Sequence, residues 1–580
     1  MQPEQIVRKI LEGRGVVSEE AVLEFLSGKP QLTYDPLLLP GAEEGAGFLL
    51  EALSRGDRIC VYGDYDADGI CGTALLVLFL REAARFVFQG AGQDDGQGRT
   101  QAVVTYYIPS RMDEGYGLNK GALRTIKDNG ADVVVTVDCG SVSAAEAAYA
   151  KEIGLDILIT DHHDPDPAQL PDCLLINPKV TVGGAAGYPF EKLSGAGVAF
   201  KLCSALQRRM ENGAGAGAGA GAGLRKILHS MVDLVCVATI ADVMPLIDEN
   251  RTFVKYGLSL LRRGTRPAFR KLCEACEVAP EKISVREIAF GVAPRLNALG
   301  RMGDASEGVE FFLAESQERI NSIAARMERM NTERRNMQEI CFNDCMGIYE
   351  AGLDAQGKPR HMFLLLKPEI SHEGVSGIVA GKVREATGLP CAVLSESREE
   401  KGLLKGSARS DGGLNLIDLL RAHRELFERL GGHAAAAGFS IRAENEDILR
   451  ETLSGELAAM AAENPGLLDG PEGPELEIGL SDIGFPLAEA LEGLAPFGVG
   501  NPKPKLSVLT AAAAITGLRF MGQGKKHLQF TAGGVDCVFF GGGETVFPEA
   551  GGLMLIGCPE INEWNGNRSA RLAVERICVL

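Results

Sequence analysis

Short apolar segments alternate with helical segments between residues 58 and 160, and this alternation restricts the fold of the region. Strands are predicted at residues 58–63, 102–108, 132–137 and 155–160. Helices are predicted at residues 71–86, 119–128 and 143–153. This alternation is typical of a parallel, doubly wound sheet, because parallel strands need long crossover connections that helices usually provide. The sequence therefore predicts an α/β fold for this part of the chain.

Acidic and imidazole side chains directly follow several of these apolar segments. In chain order they are Asp64, Asp66, Asp68, Asp138, Asp161, His162, His163 and Asp242. The last of them follows the apolar run 233–240, which we interpret as a fourth strand that delivers a ligand. Ligands bind beyond the carboxyl ends of strands in an open parallel sheet, so we expect these residues to meet at one edge.

Carboxylates packed so closely repel one another unless cations neutralise them. A mixture of carboxylates and imidazoles favours Mn²⁺, with Mg²⁺ or Zn²⁺ as alternatives. Two ions roughly 3.5–4 Å apart form a common hydrolytic centre for phosphate esters. One aspartate alone would be read as a helix cap or a turn residue, but the whole set predicts a metal site.

Four motifs in this set resemble the successive motifs of the DHH phosphoesterase superfamily. They are DYDADG (64–69), VDCG (137–140), DHH (161–163) and ADVMPL (241–246). Further segments resemble the RecJ family within it, including its DHHA1 and OB-like domains. They are IPSRMDEGYGLN (108–119), APRLNALGRMGDAS (293–306), HEGVSGIVAGKV (372–383), LKGSARS (404–410), GGHAAAAGFS (431–440), PFGVGNPKP (496–504) and GKKHLQF (524–530).

The resemblance implies a role for each member of the acidic set. The metal ligands would be Asp66, Asp68, Asp138, His162 and Asp242, with Asp138 bridging two ions. The other catalytic residues would be His163, Asp161 and Asp64. His163 would face the scissile phosphate and Asp161 would orient the histidines, while Asp64 would ligate weakly or support the ligands.

A second set of residues is expected to hold the DNA backbone and its terminal 5′ phosphate. Its members are Arg111, Arg295, Arg301, Ser407, Arg409, Gly432 and His433. Arginine binds phosphate with two parallel hydrogen bonds, and glycine-flanked loops let backbone N–H groups approach an anion. Any one of these arginines, taken alone, is equally compatible with a surface ion pair.

The chain is long enough for several domains, and changes in the pattern suggest their boundaries. We expect a helical lead-in at 1–45, a DHH catalytic domain at 46–313, a connecting helix at 314–350, a second α/β domain of DHHA1 type at 351–465 and a β-rich OB-like domain at 466–580. The Gly-Ala tract 213–223 and the glutamine- and glycine-rich stretch near 89–99 are interpreted as insertions, the former flexible.

Composition narrows the setting of the protein. The formal net charge of −19 argues against nucleic-acid binding over the whole surface, although bound cations would offset part of it. No signal peptide or apolar run of membrane-spanning length is seen, so we expect a cytoplasmic location. We also expect the protein to be a monomer. The 14 scattered cysteines suit a reducing compartment, and Cys273 and Cys276 are interpreted as helix-face residues, not as a metal or redox pair.

The RecJ-like motifs imply a 5′→3′ exonuclease that is specific for single-stranded DNA and acts in DNA repair and recombination. A channel between the two α/β halves would exclude duplex, and the released products would be 5′-mononucleotides. The expected partners are single-stranded DNA and, beyond it, a helicase and a single-strand-binding protein. The alternatives are a DHH phosphodiesterase or pyrophosphatase on small substrates and a non-catalytic, Cdc45-like DNA-binding protein. The retention of every ligand that can be matched disfavours the latter.

Overall fold

The structure, a computed structural model, describes residues 1–90, 100–181, 187–212, 220–397, 400–410, 413–468, 473–564 and 566–580. They form two compact units. The first comprises Met1–Leu296, Ala305–Ala324 and Gly473–Leu580, and the second comprises Asn297–Asp304 and Ala325–Glu472. The predicted insertion near 89–99 falls largely outside the described residues, and so does most of the Gly-Ala tract, whose last four residues begin a helix.

A parallel sheet organises the first unit. Its strands are β1 (Arg58–Tyr62), β2 (Val103–Tyr107), β3 (Val133–Thr136), β4 (Asp156–Thr160) and β5 (Leu174–Ile176). They are hydrogen-bonded in the order β2-β1-β3-β4-β5, and every pairing is parallel. The α/β prediction for this region is therefore confirmed.

Helices cover both faces of this sheet. Those before or between the strands are α3 (Ala42–Arg55), α4 (Ala67–Gly90), α5 (Lys120–Asp128) and α6 (Ala144–Glu152). Those that follow the sheet are α7 (Gly195–Asn212), α8 (Ala220–Ser230), α9 (Val232–Ala241), α10 (Asp248–Arg262), α11 (Pro267–Ala275), α12 (Val285–Glu287), a π-helical turn (Ile288–Val292), α13 (Ala293–Met302) and α14 (Ser306–Leu313). Ile159 packs with α5 and α6, whereas the neighbouring Leu158 faces α3 on the other side.

The interpretation of residues 233–240 as a strand is wrong, because they form most of α9. This helix packs against α4, α7 and α10 and is buried along its length. A helix that is buried on all sides has no polar face, so its sequence lacks the 3.6-residue periodicity that would distinguish it from a buried strand. Asp242 is therefore delivered by the C-terminal end of a helix.

The second unit contains a mixed sheet. The long helix α15 (Gln317–Ala351) runs into it from the first unit. Its other elements are β6 (Leu364–Leu366), α16 (Glu373–Thr387), β7 (Cys391–Glu396), β8 (Leu403–Arg409), α17 (Leu416–Arg421), β9 (Arg429–Gly432), β10 (Ala436–Arg442) and α18 (Glu446–Glu463). The strand order is β6-β7-β8-β10-β9, with separate apolar cores on the two faces.

The C-terminal part of the first unit is rich in β-strands, as predicted. Its elements are β11 (Leu476–Ile478), α19 (Phe485–Glu492), β12 (Leu506–Ala511), β13 (Ile515–Met521), β14 (His527–Ala532), β15 (Val535–Phe539), β16 (Gly552–Trp564) and β17 (Asn567–Val579). The N-terminal helices α1 (Pro3–Gly13) and α2 (Glu19–Leu26) contribute Ile6, Leu11 and Val22 to the same core. The beginning and the end of the chain therefore share one core.

Arg251 of α10 joins three distant segments of the first unit. Its buried guanidinium donates hydrogen bonds to the carbonyl oxygens of Phe25 at 3.0 Å, Leu494 at 3.1 Å and Ala495 at 2.8 Å. It also lies over the Phe25 ring, 3.7 Å from the centroid. The Phe25 oxygen also accepts from Lys255 and the Leu494 oxygen also accepts from Asn501, so removal of the arginine would weaken the link at these two and leave the Ala495 oxygen without its donor.

No helix in the described part of the chain is long and apolar enough to cross a lipid bilayer. All 14 cysteines lie in described residues and are free thiols. Cys273 is buried in α11, and Cys276 directly follows that helix. Neither belongs to a potential metal-binding group among the described residues.

We expect Arg251→Met to destabilise the first unit by about 3 kcal/mol or more, because it removes several buried hydrogen bonds to carbonyl oxygens. Calorimetric unfolding would measure this as a lower melting temperature of one transition. The matched control is Arg124→Met, which removes an exposed arginine paired with Asp128 and should change stability by less than about 0.5 kcal/mol. Equal stability of the two variants would contradict the role of Arg251 as a link between segments.

Candidate metal centre

The DYDADG segment turns sharply from β1 into α4. The Oδ1 atom of Asp66 accepts hydrogen bonds from the backbone N–H groups of Asp68 at 2.9 Å and Gly69 at 3.0 Å. Asp66 therefore satisfies N–H groups in the first turn of α4 that have no partner within the helix. Asp64 and Asp68 are buried on either side of it. One short turn thus places three carboxylates at the edge of the sheet.

Asp68 is also bound by the N-terminus of α7. Its two carboxylate oxygens accept hydrogen bonds from the backbone N–H groups of Gly195 at 2.7 Å and Ala196 at 2.8 Å. The start of a helix carries partial positive charge, which stabilises a carboxylate there. Gly195 permits this approach, since a Cβ atom at that position would lie 2.6 Å from the Cβ of Asp138. Glycine is therefore needed where α7 meets the site.

Asp138 follows β3 in a backbone conformation that is rare for a residue with a side chain, with φ of +67°. Its backbone N–H donates to the carbonyl oxygen of Thr160 at 3.1 Å, which fixes the turn against β4. Such a conformation costs roughly 1–3 kcal/mol and persists only where the surrounding structure imposes it. The turn directs the buried carboxylate of Asp138 towards the two histidines that follow β4.

Asp161 organises the histidine pair. Its Oδ1 atom accepts hydrogen bonds from the backbone N–H groups of His162 at 2.7 Å and His163 at 3.2 Å, and lies 2.8 Å from Nδ1 of His163. Its Oδ2 atom accepts from the backbone N–H of Ser141 at 2.8 Å. Both carboxylate oxygens are therefore engaged by the protein, which leaves Asp161 better suited to orienting groups than to binding an ion.

Three carboxylates surround one nitrogen of His162. Its Nε2 atom lies 3.0 Å from Oδ1 of Asp138, 3.5 Å from Oδ2 of Asp242 and 3.9 Å from Oδ2 of Asp68. Potential ligand atoms within 4.8 Å of one another form three groups. These are Asp138, His162 and His163; Asp68, His162 and Asp242; and Asp64, Asp66 and Asp138. Asp138 and His162 each belong to two of them.

Several atoms of this cluster are buried without a hydrogen-bond partner. They are Oδ1 of Asp64, Oδ1 of Asp138, Nε2 of His162 and Oδ2 of Asp242. Buried polar atoms are normally satisfied, because leaving one unpaired costs about 1–3 kcal/mol. Oxygen and imidazole nitrogen donors that converge in this way fit a divalent cation such as Mn²⁺ or Mg²⁺. The residues present therefore fit the expected metal.

The electrostatics of the cluster agree with this interpretation. Burial, and then repulsion from neighbouring carboxylates, raises the pKa of Asp64, Asp138 and Asp242 well above the ordinary value, and that of Asp68 to about 7. Burial, and then the charge of His163, lowers the pKa of His162 to about 3, so this imidazole is neutral and can ligate a metal.

His163 titrates in the opposite direction. Burial opposes its charged form, but the hydrogen bond and the charge of Asp161 together raise the pKa of His163 to about 9. The same pair lowers the pKa of Asp161 although burial alone would raise it. An imidazolium beside the carboxylate cluster is therefore favoured near neutral pH.

The residues expected to hold DNA are divided between the two units. In the first unit, the guanidinium of Arg111 lies over the Tyr65 ring at 5.0 Å, and its positive charge favours the ionised form of nearby Asp64. Arg295 donates to the carbonyl oxygens of Ala275 at 2.7 Å and Gly291 at 3.0 Å, which are structural contacts. The other five members of the set belong to the second unit.

In the second unit, Ser407 and Arg409 are two residues apart in β8, so their side chains lie on the same face of the strand. This face packs on α16. The guanidinium of Arg409 lies against Gly377, where an added Cβ would be 2.7 Å from Nη2. Arg301 donates to the carbonyl oxygen of Gly374 at 2.7 Å, near the start of the same helix. Both arginines are thus placed beside the N-terminal half of α16, which favours anions at its first turn.

Gly432 and His433 lie at the turn between β9 and β10. Gly432 has φ of +147°, and a Cβ there would be 2.4 Å from the carbonyl oxygen of Ala436. The backbone N–H of His433 donates to that same oxygen at 2.8 Å. Glycine is required in this tight turn, and the strand that follows it, β10, pairs with β8 so that Ala436 lies opposite Arg409.

Reasoning from the sequence missed two parts of the site. The start of α7 was not assigned a role, although the glycine-rich run SGAGVAF at 194–200 marks a helix start that can approach closely. Tyr116 was not assigned a role either, although it lies within the segment IPSRMDEGYGLN at 108–119. Its hydroxyl is 3.0 Å from Nδ1 and 3.2 Å from Nε2 of His163.

Comparison with family models matches three segments of the chain. The DHH family N-terminal domain matches residues 58–239, the DHHA1 domain matches residues 361–459, and the RecJ OB domain matches residues 475–576. The matches follow one another in the order that the motifs suggested.

Full-length similarity extends these matches. The chain is 34% identical to the single-stranded-DNA-specific exonuclease RecJ of Bacillus subtilis, over 99% of this chain and 68% of that protein. It is 31% identical to the Haemophilus influenzae protein of the same name, over 94% of this chain and 91% of that protein. The crystal structure of RecJ from Thermus thermophilus in complex with Mn²⁺ matches with a TM-score of 0.78 and 28% identity, over 98% of this chain and 75% of that chain.

We expect the stabilisation of the protein by Mn²⁺ to increase from pH 5.5 to pH 7.5. Metal must displace the proton of Asp68, whose pKa is about 7, whereas His162 is already neutral. In the metal-free protein, the contribution of Asp68 to folding stability changes with pH in the opposite direction. Asp68 keeps a proton that the unfolded chain loses near pH 4, so its contribution to stability is lost as the pH rises through about 7.

The measurement is the shift of the melting temperature on adding Mn²⁺ at each pH. Asp138→Asn should reduce the shift at both pH values, whereas Asp128→Asn, an exposed residue on α5, should leave it unchanged. A shift of the same size at pH 5.5 and pH 7.5 would contradict the assignment of protonated carboxyls as ligands.

Proposed function

Because the chain belongs to the RecJ family of single-strand-DNA-specific exonucleases, we propose that it degrades single-stranded DNA from the 5′ end and releases 5′-mononucleotides. The observation that carries this proposal is the buried cluster of carboxylates and imidazole with unpaired ligand atoms. It lies where an open parallel sheet binds its ligands, in a chain that matches these exonucleases nearly from end to end.

Asp66, Asp68, Asp138, His162 and Asp242 would hold two divalent cations, Mn²⁺ in the first place and Mg²⁺ as an alternative. When bound, such ions supply an activated water and offset the negative charge that develops on a phosphodiester in hydrolysis. Asp138 and His162 each belong to two groups of ligand atoms, and of the two only the Asp138 carboxylate has two oxygens with which it could contribute to both ions, which supports the proposed bridging role. Structures of the Thermus thermophilus relative with Mn²⁺ and with Mg²⁺ support the choice of metals.

The chain's own residues would position the substrate. Asp161 holds Nδ1 of His163, so the charged imidazole can donate its other N–H to a phosphate oxygen. Asp64 is buried and its Oδ1 atom has no hydrogen-bond partner, so it would bind an ion weakly or support the residues that do. Arg111, whose guanidinium lies over the ring of Tyr65 in the same acidic segment, would bind a phosphate of the DNA backbone.

The 5′ end would be recognised in the second unit. A terminal phosphate carries more charge than an internal diester, so a group of donors can distinguish the two. Arg409, Ser407 and the turn at Gly432 and His433 offer an arginine, a hydroxyl and a tight glycine turn within one sheet. Arg301 donates to the carbonyl oxygen of Gly374 in α16, the helix that Arg409 also contacts, and would contribute further positive charge.

The remaining proposals concern the setting of the reaction. The match to the RecJ OB domain at 475–576 disfavours a small-nucleotide phosphodiesterase, and the complete ligand set disfavours a non-catalytic Cdc45-like protein. A nuclease that requires single strands would act beside a helicase and a single-strand-binding protein, as a monomer. Free cysteines throughout the chain support a cytoplasmic location.

Oligonucleotides labelled at either end test the direction of digestion. With Mn²⁺ present, a 5′ label should appear first as a mononucleotide, while a 3′ label should remain on progressively shorter fragments. Asp138→Asn should lower the rate at least about a hundred-fold, because even groups that only orient metal ligands contribute ten- to a hundred-fold. Asparagine also tolerates the left-handed backbone of this position.

The control is Asp128→Asn, which removes an exposed carboxylate of α5 and should keep the full rate. Early release of the 3′ label would contradict the proposed direction. Full activity of Asp138→Asn would contradict the metal assignment.

Arg409→Ala tests recognition of the 5′ phosphate. Loss of a charge-assisted hydrogen bond costs about 1.5–3 kcal/mol, or roughly ten- to a hundred-fold in binding. We expect this loss on 5′-phosphorylated strands and a much smaller one on strands with a 5′ hydroxyl, with metal-induced stabilisation unchanged. Arg421→Ala, an exposed arginine of α17 in the same unit, should affect neither substrate. Equal losses on both substrates would make Arg409 a general backbone contact.

A further inference from the structure

Tyr116 is an aromatic residue that contacts the histidine pair. Its hydroxyl lies 3.0 Å from Nδ1 and 3.2 Å from Nε2 of His163 and donates to the carbonyl oxygen of Asp138 at 3.4 Å. The two rings are 5.5 Å apart and inclined at 66°, so the tyrosine presents its hydroxyl end to the imidazole. A hydroxyl that is nearly equidistant from both ring nitrogens lies over the ring, not in its plane.

Hydrogen bonds that involve residues at the ends of β1 and β2 hold the loop that carries Tyr116. The hydroxyl of Tyr62, at the end of β1, donates to the carbonyl oxygen of Gly117 at 2.8 Å. Glu114 accepts hydrogen bonds from the hydroxyl of Tyr107 at 2.9 Å and from the backbone N–H of Ser110 at 2.7 Å. These contacts connect the loop to the neighbouring strands β1 and β2 and so restrict the movement of the segment that carries Tyr116.

The backbone on either side of Tyr116 is left-handed. Gly115 has φ of +80° and Gly117 has φ of +86°, and a Cβ atom at either position would meet nothing within 4 Å. The glycines are therefore explained by conformation alone and not by crowding. This conformation raises the tyrosine out of the loop, where 51% of the residue is exposed while its hydroxyl reaches His163.

His163 needs a second contact if its ring is to keep one orientation. Asp161 binds the ring at Nδ1 only, and one hydrogen bond leaves an imidazole able to pivot about it. The His163 side chain is 35% exposed, so neighbouring atoms do not enclose it. Tyr116 supplies the second contact, through a different chemical group and from a different segment of the chain.

We propose that Tyr116 is a positioning residue for the exonuclease reaction, holding the His163 imidazole between its hydroxyl and Asp161 so that the ring meets the scissile phosphate in one orientation. The inference rests on the proposed role of His163 in the reaction. Tyr116 and His163 are both partly exposed, and the contact that the buried Asp138 carbonyl oxygen would lose is the longest of the three at 3.4 Å, so the variant should fold.

The first test is Tyr116→Phe, which keeps the ring and removes the hydroxyl. With a 5′-phosphorylated single-stranded oligonucleotide, kcat should fall about three- to ten-fold, because the ring loses the contact that fixes its orientation. KM should stay within about two-fold, and the Mn²⁺-induced shift of the melting temperature should not change. Tyr149→Phe on α6 is the matched control and should match the wild-type protein in all three measurements.

A spectroscopic readout separates positioning from general structural support. The protein has eight histidines, so ¹⁵N spectra of histidine-labelled, metal-free protein can resolve the His163 ring. Tyr116→Phe should shift the His163 ring signals and leave those of distant histidines such as His423 in place. Unchanged His163 signals together with unchanged kcat would overturn the proposal. So would a loss of Mn²⁺-induced stabilisation in Tyr116→Phe that is as large as its loss of kcat.

The double variant shows whether Tyr116 acts through His163. In a His163→Ala background, followed under single-turnover conditions, addition of Tyr116→Phe should cause no further loss, because the group that it positions is gone. A further loss as large as in the wild-type background would overturn the proposal. An inactive His163→Ala with a fully active Tyr116→Phe would overturn the proposal for Tyr116 alone, whereas a fully active His163→Ala would overturn both assignments.

Discussion

Buried carboxylates that repel one another are gathered at one edge of the parallel sheet. Asp64, Asp68 and Asp138 are all at most 3% exposed and share one edge of the sheet. Two like charges 4 Å apart cost roughly 4 kcal/mol even at an effective dielectric constant of 20. A fold that gathers such groups must retain protons or bind cations, and each alternative determines how stability responds to pH and to metal.

The backbone offsets part of this repulsion. Helix α4 directs N–H groups at Asp66 and helix α7 directs N–H groups at Asp68, so the positive ends of two helices meet the cluster. Asp138 adds a cost of its own, because its left-handed backbone is maintained against an intrinsic preference of roughly 1–3 kcal/mol. The fully buried strand β3 beside it supplies the packing that can support this strain.

The sequence was sufficient to predict the parallel sheet and the residues of the cluster, because strand periodicity and the position of each carboxylate are local properties. It was not sufficient where packing overrides local pattern. Helix α9 resembles a strand since burial on all sides removes its polar face, and the helical lead-in at 1–45 gave no sign that Ile6 and Leu11 would join the C-terminal core. The contact between Tyr116 and His163 arises from a loop conformation that two glycines permit but do not specify.

The loop that leads away from Asp242 shows how distant segments support the metal centre. The backbone N–H of Leu246 donates to the carbonyl oxygen of Val499 at 2.7 Å, and a Cβ at Gly498 would lie 2.7 Å from the Leu246 side chain. Arg251, one turn of helix further on, binds the carbonyl oxygens that precede this same C-terminal loop. Because interiors are close-packed, a displacement of the C-terminal loop must be transmitted to the segment that begins at Asp242. The β-rich domain is therefore part of the framework that places Asp242, which we propose as a metal ligand.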